Sequence, residues 1–415
     1  MSKGPWAMGY GLWAPGLLLT ANLASHTSPL TAQAPALQAP GSELTITLLT
    51  YETGGRVWER FGHNAIWIHN AESGADDHYD YGRFSFERPH FVLRFLQGRM
   101  WYSMGYESNV DTMVAIYASH GRKIWAQELD LTPAQRLALR QFLEWNWQPQ
   151  NREYFYDYYR DNCSTRIRDA IDRVIGGAIR RYGEQPSVMT WRDETRRLNE
   201  DRIPLYTGLL LALGQPVDVV MSRWEQMFLP GRLREHVDSV RVTGADGSLR
   251  PLVKSERVLN EGGAWPVPDR PTSWLLGYAL AGVLVGTLLA LLGRTRIFLP
   301  LATLWALLAG LGGVLLTYLA GFSHHVAAHR NENLLLLNVF SLALAVLLPA
   351  AICGRSWALR PARGLALLSA SLGVLALLLK LLPWFPQHNL EVIALALPIH
   401  AGLWFGLERS LVNES

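Results

Sequence analysis

The pattern of apolar and polar positions divides the chain into an apolar first stretch, a mixed central region and a strongly apolar final third. In the central region, residues 42–272, short alternating runs predict three strands: Glu43–Tyr51, Asn64–His69 and His78–Phe86. Helical spacing predicts a helix over Thr132–Trp147 and another that opens at Asp161. Residues 204–242 look mainly helical, and Thr243–Pro271, which is rich in Gly and Pro, predicts a strand-poor approach to the membrane. The region is therefore predicted to be an α+β domain.

The final third, residues 273–415, is predicted to be a membrane domain. A helix needs about 20 apolar residues to cross a bilayer. Five segments meet this requirement: Trp274–Leu292, Ile297–Ala320, Leu334–Ile352, Gly364–Leu382 and Leu390–Leu407.

The connections between these segments carry charge asymmetrically. Arg294–Arg296 forms one basic loop, and a second is predicted around Arg355, Arg360 and Arg363. The alternate loops, Gly321–Asn333 and Pro383–Asn389, contain a single arginine, Arg330, and both contain histidine. Because cytoplasmic loops are enriched in Lys and Arg, the basic loops are assigned to the cytoplasm. The central domain and the two histidine-bearing loops are then predicted to share the outer side.

Residues 1–41 predict an export segment. Lys3 precedes an apolar stretch, and Ala32-Gln33-Ala34 offers a cleavage site with small residues. The segment is either removed or kept as an anchor, and in both cases the central domain leaves the cytoplasm.

The net charge of +3 and the scattered arginines argue against a nucleic-acid partner. The chain has two cysteines, Cys163 in the exported domain and Cys353 near the cytoplasmic end of the third apolar segment. On opposite sides of the membrane they cannot form a disulfide. Cys353 is interpreted as a small apolar side chain.

Cys163 lies in Asp161-Asn162-Cys163-Ser164-Thr165-Arg166, the first turn of the helix that opens at Asp161. A helix N-terminus stabilises a thiolate, and its amides can receive an oxyanion. A cysteine nucleophile also needs a base, for which histidine is usual. His63 follows Gly62 at the start of a predicted strand, so its ring can project from the sheet edge toward a helix terminus. The alternative for His63 is an ordinary structural histidine.

Several segments together resemble a known group of enzymes. Phe61–Ala65, Tyr79–Phe84 and Asp161–Thr165 are similar to the permuted NlpC-type papain-like enzymes, in which the histidine strand precedes the cysteine helix. Over nearly the whole chain the sequence more closely resembles the Lnb-type lipoprotein N-acyltransferases. That resemblance includes Trp224–Pro230 and Asn331–Asn338, the latter preceded by histidines.

The resemblance implies a multi-pass protein of the bacterial inner membrane with its catalytic domain in the periplasm. Cys163 is expected to take an acyl chain from a membrane phospholipid as a thioester, with His63 as base. The acceptor is the α-amino group of the N-terminal diacylglyceryl-cysteine of a lipoprotein. No cofactor or metal is expected.

Two residues remain candidates for the group that orients His63. His78 and Asp80 share one face of the third predicted strand, and Asp80 is preferred because it lies within the Tyr79–Phe84 match. Asn162 either orients a reacting group or caps the helix. The candidates for substrate binding are His78, Tyr81, Arg166, His325 and His329.

Three other functions use the same residues. A cell-wall cysteine peptidase or amidase has no need of five membrane helices. A phospholipase would pass the acyl chain to water. A receptor or assembly factor with a degenerate domain would keep its function without Cys163.

Overall fold

The computed structural model describes residues 39–244, 246–263 and 265–411. The predicted export segment and its cleavage site lie outside the described residues, apart from the last three of the 41 positions. From Ala39 onward the described chain forms one compact unit, in which an α+β domain precedes a bundle of apolar helices. This is the predicted layout, and the fold class is confirmed.

The strands of the described ranges are β1 (Leu44–Tyr51), β2 (His63–Asn70), β3 (Ala75–Arg83), β4 (Trp101–Glu107), β5 (Ile124–Leu129), β6 (Glu153–Phe155), β7 (Pro186–Thr190), β8 (Val220–Ser222), β9 (Arg241–Thr243), β10 (Leu249–Pro251) and β11 (Val253–Asn260). Seven of them form one antiparallel sheet in the order β11-β5-β1-β2-β3-β4-β6. The other four form the pairs β7–β8 and β9–β10.

The helices of the domain are α1 (Phe91–Gln97), α2 (Val110–Ser119), α3 (Pro133–Trp147), α4 (Cys163–Val174), α5 (Ala178–Gly183), α6 (Trp191–Arg197), α7 (Ile203–Ala212), α8 (Arg223–Gln226) and α9 (Pro230–Asp238). Helices α3 and α4 pack on one face of the sheet against alternate residues of β1 such as Ile46 and Leu48. Helix α2 packs on the other face, against Leu49 and Tyr51. Strand β1 is buried along nearly its whole length because both of its faces are covered.

The predicted strands that become β1 and β2 are correct to within one residue at each end. The third is displaced, because β3 spans Ala75–Arg83 rather than His78–Phe86. Its end is set by Gly82, which has a φ of +93° and lies where the register with β4 shifts. A positive φ favours glycine and often accompanies a bulge.

The prediction of few strands in Thr243–Pro271 is wrong. Strand β11 lies there and pairs with β5 at the edge of the main sheet. Its polar run Lys254-Ser255-Glu256-Arg257 is exposed. An edge strand of this kind lacks the apolar alternation that identifies a half-buried strand, and charged side chains protect its free edge.

The membrane helices are α10 (Leu275–Leu292), α11 (Phe298–Gly321), α12 (Phe340–Ile352), α13 (Ser356–Leu379) and α14 (Leu390–Leu411). Within the described residues five segments are long and apolar enough to cross a membrane, the third being the 3₁₀ turn Glu332–Leu335 followed by α12. Helix α13 begins eight residues before the predicted Gly364. Arg360 and Arg363 are therefore helical, which corrects their assignment to a loop.

The domain contacts the outer ends of these helices through side-chain amides. Asn331 and Asn333 donate to the carbonyls of Leu211 and Leu210, at 2.7 and 2.9 Å. Gln387 donates to Leu213 at 3.1 Å. All three acceptors lie at the end of α7, so both histidine-bearing loops are on the side of the α+β domain, as the charge pattern predicts. The domain boundary near residue 272 remains a prediction.

Candidate active site

Cys163 is the first residue of α4, and its side chain is nearly buried. The preceding residue fixes this end of the helix. Asn162 Oδ1 accepts hydrogen bonds from the amides of Ser164 and Thr165, both at 2.9 Å. Asn162 Nδ2 donates to the carbonyls of Tyr158 and Phe228, at 2.8 and 2.9 Å. Of the two roles that the sequence left open for Asn162, the structure shows the cap.

The segment Trp224–Pro230 supports the same helix from outside. Ser164 Oγ donates to the carbonyl of Met227 at 2.7 Å. Arg168 donates to the carbonyl of Trp224 at 2.6 Å and lies 3.5 Å from the centroid of its ring. This segment therefore holds the cysteine helix in place.

His63 is the first residue of β2 and lies opposite Tyr51 of β1. Its ring stacks near those of Tyr51 and Tyr117, with centroids 6.1 and 5.8 Å away. His63 Nε2 lies 3.1 Å from Asp80 Oδ2. The two aromatic rings and the carboxylate leave Nδ1 as the ring nitrogen available to Cys163.

Asp80 is itself held from a second direction. Arg83 Nε donates to Asp80 Oδ1 at 2.8 Å, and Arg83 Nη1 donates to Glu107 at 2.9 Å. Asp80 is almost completely buried. The side chains of His63, Asp80, Arg83 and Glu107 form one hydrogen-bonded network that ends beside the Cys163 thiol.

The electrostatics of this network favour the charged forms of His63 and Asp80. Burial alone would lower the pKa of His63. It is outweighed by Tyr117 and Cys163 and by hydrogen bonds with Asp80 and Cys163, which hold that pKa well above its usual range. Burial would raise the pKa of Asp80, but the hydrogen bond and charge of His63 and the charge of Arg83 hold it well below its usual range. The carboxylate therefore remains ionised and stabilises an imidazolium at His63.

His78 lies two residues before Asp80 but does not reach His63. It is fully buried, and its Nε2 lies 3.1 Å from the hydroxyl of Tyr51. Burial lowers the pKa of His78 to about 4, so it is neutral at physiological pH. In the structure it is therefore Asp80, and not His78, that contacts the His63 ring. His78 is enclosed in the structure, and its predicted contact with substrate remains a prediction.

One comparison with known proteins finds a match for the α+β domain. Residues 31–197 match the family model of the Lnb N-terminal periplasmic domain. These residues are similar to the Lnb N-terminal periplasmic domain. The predicted resemblance to Lnb-type proteins is confirmed, and with it a multi-pass membrane protein with a periplasmic domain. No curated protein and no solved structure matches the chain.

Two other predicted substrate contacts in the Lnb domain are engaged elsewhere. Tyr81 is buried on the opposite face of β3 from Asp80, and its hydroxyl donates to Asn146. Arg166 makes two hydrogen bonds to Asp161, at 2.6 and 2.7 Å, and lies over the ring of Tyr154. The alternation of the strand explains Tyr81, and the acidic residue that precedes the helix explains Arg166.

The histidines between the second and third spans contact the Lnb domain or their own loop. His325 Nε2 lies 2.6 Å from the carbonyl of Phe95, and its ring stacks on Tyr158. His329 Nε2 lies 3.3 Å from the carbonyl of Ser323. The structure does not bring either ring to His63, and a role in binding substrate remains a prediction.

The first turn of α4 leaves one amide for an oxyanion. The amides of Ser164 and Thr165 are bonded to the Asn162 side chain, and that of Arg166 to the Asn162 carbonyl. In the described part of the chain the Cys163 amide has no acceptor. Of the helix amides that were predicted to receive an oxyanion, the Cys163 amide is therefore the one that stays a candidate.

Sequence reasoning missed the residues that surround the dyad. Tyr51 and Tyr117 pack beside His63, and Arg83 braces Asp80. Arg83 lies within the Tyr79–Phe84 segment that carried the resemblance, which is a usable signal. Tyr117 lies on α2, far along the chain from the motifs, and gave none. Among the described residues no three His, Cys, Asp or Glu side chains converge as metal ligands.

Proposed function

We propose that this protein is a cysteine-dependent lipoprotein N-acyltransferase of the bacterial cytoplasmic membrane. The acyl donor is a membrane phospholipid, and the acceptor is the α-amino group of a lipoprotein's N-terminal diacylglyceryl-cysteine. The observation that carries the proposal is the line of Cys163, His63 and Asp80 within an Lnb periplasmic domain that is joined to five membrane helices.

In the first half-reaction the Cys163 thiolate attacks the carbonyl carbon of a phospholipid ester. The tetrahedral oxyanion lies at the N-terminus of α4, where the Cys163 amide donates to it. When the ester C–O bond breaks, the lysophospholipid alkoxide takes its proton from the His63 imidazolium. The acyl chain remains on Cys163 as a thioester.

In the second half-reaction the lipoprotein amine attacks the thioester carbonyl. Neutral His63 accepts a proton from the amine as the amide bond forms, and the thiolate leaves. Asp80 stabilises the imidazolium that results and keeps Nδ1 directed at the sulfur. The imidazolium–thiolate pair is restored for the next cycle.

The contact between the domain and the membrane helices supports a lipid substrate over a soluble one. The domain rests on the outer ends of the membrane helices through Asn331, Asn333 and Gln387. A cell-wall peptidase needs no such bundle. An acceptor that is anchored in the same membrane would meet the thioester at high effective concentration.

The proposal is tested by mass spectrometry of a lipoprotein's N-terminal peptide from cells depleted of their own N-acyltransferase. Wild-type protein should add one acyl chain to the peptide, and Cys163→Ala and His63→Ala should not. If all three proteins are expressed and the peptide remains diacylated, the acceptor is wrong. Release of free fatty acid by the wild type alone would then identify a phospholipase.

A further inference from the structure

The short helix α1 has an unusual surface for a soluble domain. None of its seven side chains is buried. Val92 is 69%, Leu93 51% and Phe95 43% exposed. The neighbouring Phe86 and Trp58 are also more than half exposed. We refer to Trp58, Phe84, Phe86 and Phe91–Gln97 together as the α1 surface.

The α1 surface is fixed to the loop that joins the second and third membrane spans. The amide of His324 donates to the carbonyl of Gln97 at 2.9 Å, and His325 Nε2 bonds the carbonyl of Phe95. Gly98 ends the helix with a φ of +70°, and a β-carbon there would lie 2.9 Å from the His325 amide. Two carbonyls at the end of α1 are thus capped by the loop between the second and third membrane spans, so the apolar side chains of α1 lie beside that loop.

An unbroken series of aromatic rings leads from this surface to the nucleophile. Ring centroids are 5.8 Å apart for Trp58 and Phe86, 5.0 Å for Phe86 and Phe84, 5.2 Å for Phe84 and Tyr102, and 4.1 Å for Tyr102 and Tyr156.

Gly82 lies where this series ends. A β-carbon at Gly82 would lie 3.7 Å from the Tyr156 ring and 3.5 Å from the Cys163 β-carbon. The last ring of the aromatic series and the Cys163 side chain therefore both lie within 4 Å of the same point, the β-carbon position of Gly82.

The charges beside the helix fit a phospholipid. Arg94 and Arg99 flank the apolar side chains, and neither guanidinium has a partner among the described residues. Aromatic side chains that are partly exposed to water, with basic residues next to them, are typical of segments that lie in the lipid headgroup region.

We propose that the α1 surface binds the acyl chain of a bilayer phospholipid and leads it along the aromatic series to Cys163. The destination of the chain rests on the proposed function. Binding at the surface requires only that a phospholipid leave the bilayer plane by a short distance, with its phosphate near Arg94 and Arg99.

The binding step is tested without catalysis, using full-length Cys163→Ala protein in nanodiscs. The nanodiscs contain phosphatidylethanolamine with a photoreactive diazirine on its acyl chain, and adducts are located by peptide mass spectrometry. Adducts are expected on the α1 surface as well as on the membrane helices. Val188 and Leu249, which are 90% and 75% exposed elsewhere on the domain, serve as matched positions. Labelling of the α1 surface no stronger than at these two residues would overturn the proposal.

A second measurement follows the kinetics. Leu93→Glu should raise KM for phospholipid by about tenfold with little change in kcat, because it removes an apolar side chain that the bound acyl chain buries. Val188→Glu adds the same charge on exposed apolar surface and should leave KM unchanged. A kcat loss without a KM change in Leu93→Glu would contradict the proposal. Strong labelling of the α1 surface without any acyl transfer would instead refute the proposed function and leave lipid binding intact.

Discussion

Gly105 of β4 lies directly opposite Asp80 of β3, and a β-carbon at Gly105 would come within 2.1 Å of the Asp80 carboxylate. The same β-carbon would lie 1.7 Å from Arg83 Nε. The absence of a side chain at Gly105 is what allows Arg83 to cross the strand and brace the carboxylate that orients His63.

Gly105→Ala should therefore impair the reaction without touching the reacting residues. The methyl group displaces the Arg83–Asp80 pair, and a shift of about 1 Å in a catalytic group can lower the rate by about a hundredfold. We expect a loss in kcat of roughly ten- to a hundredfold in a reconstituted transfer assay. Gly208→Ala is the control, because nothing lies within 4 Å of a β-carbon there. Equal activity in the two variants would contradict the role of Gly105.

Asp80→Asn should change the pH dependence of stability. The raised pKa of His63 contributes stability that is fully present below the unfolded value of about 6.5 and is lost as pH rises through the folded value. The lowered pKa of Asp80 contributes stability that is present above the unfolded value of about 3.9. The difference in Tm between wild type and Asp80→Asn should thus be largest between about pH 4 and 6.5 and shrink at alkaline pH.

This difference is measured by thermal unfolding of both proteins in the same detergent from about pH 4 to alkaline pH. The wild type should lose its advantage as the solution becomes alkaline. A Tm gap that stays constant or widens with pH would mean that His63 and Asp80 do not form an ion pair.

Substitution of Asn162 separates its two possible roles. Asn162→Ala removes the cap of α4 and two hydrogen bonds to backbone carbonyls, so the free energy of unfolding should fall by about 1–3 kcal/mol. Asn162→Ser keeps an acceptor for the helix amides and should recover part of that loss. Unfolding in denaturant measures both. Unchanged stability with abolished activity in Asn162→Ala would show a direct part in the reaction instead.

The junction between the domain and the bundle depends on Glu391. Its carboxylate accepts hydrogen bonds from Arg196 at 2.7 Å and from the Trp274 amide at 2.8 Å, and Glu391 is buried. Glu391→Ala leaves Arg196 unpaired and should cost about 3–5 kcal/mol in the free energy of unfolding. Glu408 lies on the same helix as Glu391 and is a more exposed partner of Arg363. Glu408→Ala should therefore lower the free energy of unfolding by about 1 kcal/mol or less. Similar losses for both would show that the junction is not held by this pair.

The sequence predicted the parts of the fold that local patterns determine. Strands β1 and β2 have regular apolar runs, and α3 is preceded by its N-cap Thr132, whose hydroxyl and the Gln135 side chain accept hydrogen bonds from each other's backbone amides. Strand β11 was missed because its exposed charges carry no alternation. Its place in the sheet depends on a pairing with β5 that lies more than a hundred residues away along the chain.

For the candidate site, the sequence identified candidate residues but not which of them contact one another. Alternation places His78 and Asp80 on one face of β3, and no local pattern distinguishes them. The register against β2 decides, because Asp80 lies opposite Ala65, whereas His78 lies opposite Trp67. The brace by Arg83 depends in turn on the lack of a side chain across the next ladder, at Gly105. Such relationships belong to the pairing of strands and not to any single segment.

The central claim is that Cys163 carries the acyl chain, and intact-protein mass spectrometry tests it most directly. Purified full-length protein is incubated with a phospholipid of defined acyl length in the absence of a lipoprotein acceptor. The account predicts one added acyl mass, located on Cys163, removed by neutral hydroxylamine and lost when a lipoprotein is supplied. His63→Ala should slow its appearance, and Cys163→Ala should abolish it. Acyl transfer to the lipoprotein by Cys163→Ala, or an adduct on another residue, would contradict the account.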